Sequence, residues 1–85
     1  MNSNITIRVK LFAKLREEVG SGEFHLELPQ GTGCGEVVRH LRNHFPHLEP
    51  LLESSLVAVN GVYTDSDVDV SNGDEVAVLP PVSGG

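Results

Sequence analysis

Ile5, Ile7, Val9 and Leu11 alternate with Thr6, Arg8, Lys10 and Phe12. A period of two is the signature of a β-strand with one covered face, because successive side chains point to opposite sides of the pleat. This is the founding strand of a sheet. A second strand follows in Phe24, Leu26 and Leu28, alternating with His25 and Glu27 and closed by Pro29, which has no N–H to donate to a continuing ladder. Between the two, residues 13–19 (Ala, Lys, Leu, Arg, Glu, Glu, Val) favour one or two helical turns, and Gly20, Ser21 and Gly22 end them.

The cover for the sheet is a helix from about Gly35 to Phe45. Val37, Val38, Leu41 and Phe45 recur at helical spacing, while Glu36, Arg39, Arg42 and Asn43 face outward. Burying each of these apolar side chains contributes roughly 1.5–3 kcal/mol, so packing rather than propensity holds the helix. Pro46 and Pro50 then bracket Leu48, Leu51 and Leu52 in one irregular turn. Residues 56–60, LVAVN, form a third strand, and residues 61–70 read as polar and irregular. Ser71, Asn72, Gly73 and Asp74 make a turn before a last strand, residues 75–79. The order strand, strand, helix, strand, strand predicts an α+β fold with a mixed sheet. Residues 1–79 are expected to form the one domain and residues 80–85 a flexible tail.

Twelve acidic side chains against six basic ones leave a formal charge of −6, the wrong sign for a phosphate backbone, so nucleic acid is not an expected ligand. No apolar run approaches the roughly 20 residues needed to span a bilayer. MNSNITIRVK has neither the charge pattern nor the apolar stretch of a secretion leader, and Cys34 has no second cysteine to pair with. A cytoplasmic location without membrane contact is the expectation.

No constellation of side chains in the body carries an obvious chemistry. Asp65, Asp67 and Asp69 alternate as calcium ligands do, but Val70 and Val76 stand where a calcium loop needs glycine and glutamate. His40 and His44 share a helix face at zinc-binding spacing, yet Arg39 and Arg42 flank them, so they read as two solvated histidines. Gly31, Gly33 and Gly35 around Cys34 match neither the dinucleotide fingerprint nor the P-loop. Cys34 reads as packing rather than as a nucleophile. No metal and no cofactor held by this chain is expected.

The remaining feature is the ending PPVSGG. Pro80 and Pro81 fix φ and favour an extended course away from the sheet. Val82, Ser83, Gly84 and Gly85, fully extended, reach roughly 13 Å, and glycines thread a channel too narrow for any other residue. A terminal carboxylate is ionised at neutral pH and is a poor electrophile until coupled to a nucleotide. Coupling gives a mixed anhydride open to attack by a sulfur nucleophile such as a persulfide.

VKLFAKLREEVG, VAVNG and NGDEVAVLPPVSGG resemble, in order and across essentially the whole chain, the MoaD family of small, sulfur-carrying subunits of molybdopterin synthase. The resemblance implies a β-grasp, ubiquitin-like fold. It implies that a MoeB-like, ATP-dependent enzyme adenylates Gly85 and that sulfur transfer makes it a thiocarboxylate. It further implies that Pro81, Val82, Ser83, Gly84 and Gly85 enter the active site of a MoaE-like large subunit. That subunit holds cyclic pyranopterin monophosphate, and the two chains assemble as a heterotetramer. The carrier then acts as a sulfurtransferase subunit without catalytic side chains of its own. Phe12, Leu79 and Pro80 are the expected docking residues, with Phe12 on the outward face of its strand or packed under the residue 13–19 helix. Where such relatives usually cap the main helix with Thr or Ser, this chain has Gly33, which predicts a cap lacking its side-chain oxygen. Two rivals remain: a ThiS-type carrier for thiamine thiazole synthesis, and a ubiquitin-like modifier that joins Gly85 to lysines of other proteins.

Overall fold

The structure is a computed structural model and describes residues 3–64 and 66–81. Asp65 and the tail residues Val82, Ser83, Gly84 and Gly85 lie outside the described residues. The elements are β1 (Asn4–Leu11), α1 (Ala13–Val19), β2 (Glu23–Pro29), α2 (Gly35–His44), a 3₁₀ turn (Pro46–Leu48), α3 (Glu49–Leu52), β3 (Leu56–Val59), β4 (Val62–Thr64) and β5 (Glu75–Leu79).

One five-stranded sheet has the order β2-β1-β5-β3-β4. β1 pairs in parallel with β5, and every other neighbour pair is antiparallel. With α2 packed across it, this is the mixed sheet of a β-grasp. The registers follow the alternation seen in the sequence. Val9 stands opposite Phe24 on one side and Val76 on the other, and Leu11 stands opposite Val78, which in turn faces Val57. These side chains share the covered face and meet Leu15 of α1 and Val37 and Leu41 of α2 in the core. Val38 and Phe45, expected on the buried stripe, pack at its margin. Among the described residues no helix covers the other face of the sheet, which carries Arg8, Lys10, Ala58, Ala77, Leu56 and Leu79.

Two sequence expectations change. Residues 46–52 form two short helical pieces instead of one irregular turn, with Pro46 and Pro50 each near a first-turn position where the missing N–H costs nothing. Residues 61–70 are not wholly irregular, because β4 pairs with β3 through Val59↔Val62. Asn60 and Gly61 join them with φ of 50° and 83°, the two consecutive positive values of a tight hairpin turn. The turn at residues 71–74 forms as expected, closed by the Asp74 N–H donating to the Ser71 carbonyl at 3.0 Å. Asn60 also ties the hairpin to β5: its side-chain amide donates to Asp74 Oδ1 at 3.0 Å and its Oδ1 accepts the Glu75 N–H at 2.9 Å.

The expected deficit at the start of α2 is also corrected. Cys34 precedes the helix and supplies no side-chain cap. The cap comes from the residue 66–69 segment instead: Asp67 Oδ1 accepts the Gly35 N–H at 2.8 Å, and the Val68 carbonyl accepts the Cys34 N–H at 2.8 Å. A carboxylate here also meets the positive end of the helix dipole. Asp67 approaches so closely that a Cβ on Gly33 would collide with its carboxylate. Gly33 thus does not weaken the cap; it makes room for it. Asp67 is thus an exposed residue of the acidic segment that also has a structural role as the cap of α2.

The two histidines of α2 are not both simply solvated. Their rings stack with centroids 4.0 Å apart, the His44 Nδ1 lies 3.0 Å from the His40 carbonyl, and His40 is half-buried 6.5 Å from the Phe24 ring. Burial, and secondarily the neighbouring His44 charge, hold His40 below its ordinary value of 6.5.

Two outcomes follow. Asp67→Ala costs about 1 kcal/mol, a melting point lower by about 4–8 °C, and Gly33→Ala costs a similar amount by expelling the carboxylate. Because both remove one cap, the double variant melts close to the single ones, which a double-mutant cycle in urea or heat measures. His40 binds protons less readily folded than unfolded, so its contribution is complete above about pH 6.5 and is lost as pH falls through its lowered folded value. Thermal melts between about pH 7 and pH 5 should show this decline, and His40→Gln should flatten it.

Candidate functional site at the shared strand ends

β1 and β5 run parallel, so both finish at the same edge of the sheet. The chain leaves β1 as Phe12 and leaves β5 as Pro80 and Pro81. Phe12 lies one residue beyond β1, correcting its expected place within the strand, and its backbone stays extended at φ −127° and ψ 156°. That continues the alternation past Leu11, sending the ring away from the core, where it is 43% exposed rather than packed under α1. Ala13 then turns the chain into α1 with φ of 51°, a left-handed conformation that an alanine adopts at a cost of roughly 1–2 kcal/mol.

The three residues expected to dock, Phe12, Leu79 and Pro80, line one cavity of about 530 Å³ together with Ala13, Lys14, Leu51 and Pro81. Its walls are mostly hydrocarbon. Leu51 was missed from sequence because its pattern within residues 46–52 was read as an irregular turn. Leu56 and Tyr63 were missed too. Leu56 pairs with Leu79 on the face without a helix and is 54% exposed; Tyr63, opposite Ala58, is 64% exposed. The parity of Leu56 and Ala58 along their strand was the signal for that face. The apolar surface therefore runs from the Phe12 cavity through Leu79 to Leu56.

The other groups weighed from sequence lie apart from this edge. Cys34 is 2% exposed, with its thiol donating to the Ser66 carbonyl at 3.6 Å, so it is held in the core at the start of α2. Among the described residues no three of His, Cys, Asp and Glu gather as a metal site. No described helix is long and apolar enough to cross a membrane.

Comparison with known proteins identifies the family and the fold. The ThiS family profile matches residues 9–85. The molybdopterin synthase sulfur carrier subunit of Dictyostelium discoideum is 37% identical over 81 residues, covering 92% of this chain and 94% of that protein. Among solved structures, the Haloferax volcanii HVO 2177 protein superposes with a TM-score of 0.83 at 28% identity, covering 96% of this chain and 88% of that one. The H. volcanii small archaeal modifier protein 1 gives 0.78 at 28% identity, covering 92% and 99%. The chain belongs to the ThiS family.

Proposed function

We propose that this chain is the sulfur carrier subunit of a molybdopterin synthase, with Gly85 as the residue that bears the sulfur. The observation that carries the reading is the convergence of Phe12, Leu79 and Pro80 on one apolar groove where the chain leaves β5. A body with an apolar dock beside the root of its tail suits a protein that presents a reactive end to others. Within the family, likeness to a molybdopterin synthase sulfur carrier subunit over 92% of this chain favours molybdopterin synthesis over the thiamine thiazole role.

In this reading the Gly85 carboxylate attacks the α-phosphorus of ATP in a MoeB-like enzyme, releasing pyrophosphate. The terminal sulfur of a persulfide then displaces AMP from the acyl carbon, and a thiol attacks the inner sulfur of the resulting acyl disulfide, forming a disulfide and releasing the thiocarboxylate. The body docks on a MoaE-like large subunit through Phe12, Leu79 and Pro80, and Pro81, Val82, Ser83, Gly84 and Gly85 deliver the sulfur to cyclic pyranopterin monophosphate bound there. The carrier contributes the transferable group; the large subunit contributes the side-chain catalysis.

A second reading has its own support. Similarity to a small archaeal modifier protein suits a chain that also joins Gly85 to lysine amines. Covalent high-mass adducts in the source cells would mark that use, whereas a carrier alone shows free protein with one oxygen exchanged for sulfur.

Incubation with the adenylating enzyme, ATP and a sulfur source should raise the intact mass by that exchange. Deleting Gly85, or adding one residue after it, should abolish the gain while the melting point stays put; loading of the extended variant would contradict the assignment. Phe12→Ala should weaken binding to the large subunit about tenfold or more by titration calorimetry, again without a change in melting point.

A further inference from the structure

Arg16 stands out among the cations. Among the described residues, Arg8 and Lys10 lie 3.6 and 3.3 Å from Glu75, Lys14 lies 3.5 Å from Glu18, Arg39 lies 3.1 Å from Glu36, and Arg42 contacts Glu49. Arg16 has no described carboxylate within ion-pair distance, although the chain has twelve acidic side chains for six basic ones. In so acidic a protein an unpaired cation is the exception, and its place is informative.

Arg16 is exposed in the last turn of α1. Its side chain lies along Gly22, where a Cβ would come within 3.0 Å of Nε and 3.3 Å of Cζ. The glycine therefore leaves the space in which the guanidinium rests against the turn into β2. Arg16, Lys10, Gly22 and Glu23 line an open notch of about 360 Å³ that shares Phe12 with the apolar groove. Phe12 is thus shared by a mostly apolar groove, which includes Lys14, and a notch lined by two cations. Glu23 on the notch wall is not paired with the guanidinium, so its donors remain available.

We propose that this notch receives a carboxylate side chain from the large subunit of the synthase, held by Arg16 with Lys10 beside it, as Phe12 seats in an apolar socket next to that acid. The inference rests on the groove being the subunit interface and adds the chemistry of the partner's rim. A planar guanidinium takes a carboxylate through two parallel hydrogen bonds, which fixes orientation as well as position. Orientation matters here, since a rotation about the Phe12 contact would swing the tail away from its target. Opposite charge at the rim also speeds encounter in a salt-dependent way. In a chain that is acidic overall, a local positive corner is the part of the surface that attracts an acidic group.

The test uses the full chain and the purified large subunit from the same organism, with association followed by surface plasmon resonance at low and high salt. Arg16→Glu should weaken binding about tenfold or more at low salt, mainly through the association rate, and flatten its salt dependence. Arg16→Lys should recover part of the loss. Its melting point should match that of the unaltered chain, because no ion pair within the described structure is broken. Arg39→Glu, the same charge change on α2, should bind nearly normally. Undiminished binding by Arg16→Glu, or an equal loss with Arg39→Glu, overturns the notch assignment. If Phe12→Ala weakens binding and Arg16→Glu does not, only this inference falls. If the unaltered chain neither loads sulfur nor binds the large subunit, the functional reading falls and takes this one with it.

Discussion

The parallel pairing of β1 with β5 is the contact on which the rest of the molecule depends. It is held by fully buried side chains: Val9 against Val76 and Leu11 against Val78, beneath Leu41 and Val37 of α2. Because the two strands run the same way, whatever follows each of them emerges at the same edge. The register Leu11↔Val78 then sets Phe12 beside Leu79, and Pro80 next to both. Antiparallel pairing of the same two strands would put the aromatic ring and the root of the tail at opposite ends of the sheet. Phe12 and the residues that leave β5 are therefore neighbours through topology, although residues 13–74 separate the two paired strands in sequence.

That edge is also where the structure spends stability. Ala13 takes a left-handed backbone that glycine would adopt freely, and Phe12 leaves a large apolar ring in water. Neither contributes to the core. The kink has a geometric result: the chain leaves the sheet plane immediately after Phe12, so α1 packs through Leu15 while the ring stays outside. Strain and exposure at one point, with no return in packing, are what a surface shaped for another protein would show.

Sequence reasoning succeeded where the signal was local and periodic. The alternation of residues 5–11, the helical stripe of Val37 and Leu41, the glycines after α1 and the turn at residues 71–74 all appear where the pattern put them. β4 escaped because three residues, Val62, Tyr63 and Thr64, are too few to show a period, although Asn60-Gly61 was a hairpin signal in plain view. The Asp67 cap escaped for a different reason. It joins residues 32 positions apart, and no local rule links an aspartate in one loop to a helix start in another. The same holds for the dock. Sequence singled out Phe12, Leu79 and Pro80, which line one groove, but Leu51 and Leu56 come beside them only through the packing of α3 and β3.

A chain that presents an activated acyl group has to keep its own nucleophiles away from it. The only thiol, Cys34, is buried at the start of α2 beneath the residue 66–69 segment and donates to the Ser66 carbonyl. The only two lysines, Lys10 and Lys14, line the two cavities that share Phe12, and each is engaged by a carboxylate, Glu75 for the first and Glu18 for the second. The remaining four cations are arginines, whose delocalised guanidinium groups are poor nucleophiles. On the proposed function, the quietness of the body is itself part of the mechanism, because a carrier's group survives only as long as nothing nearby takes it first.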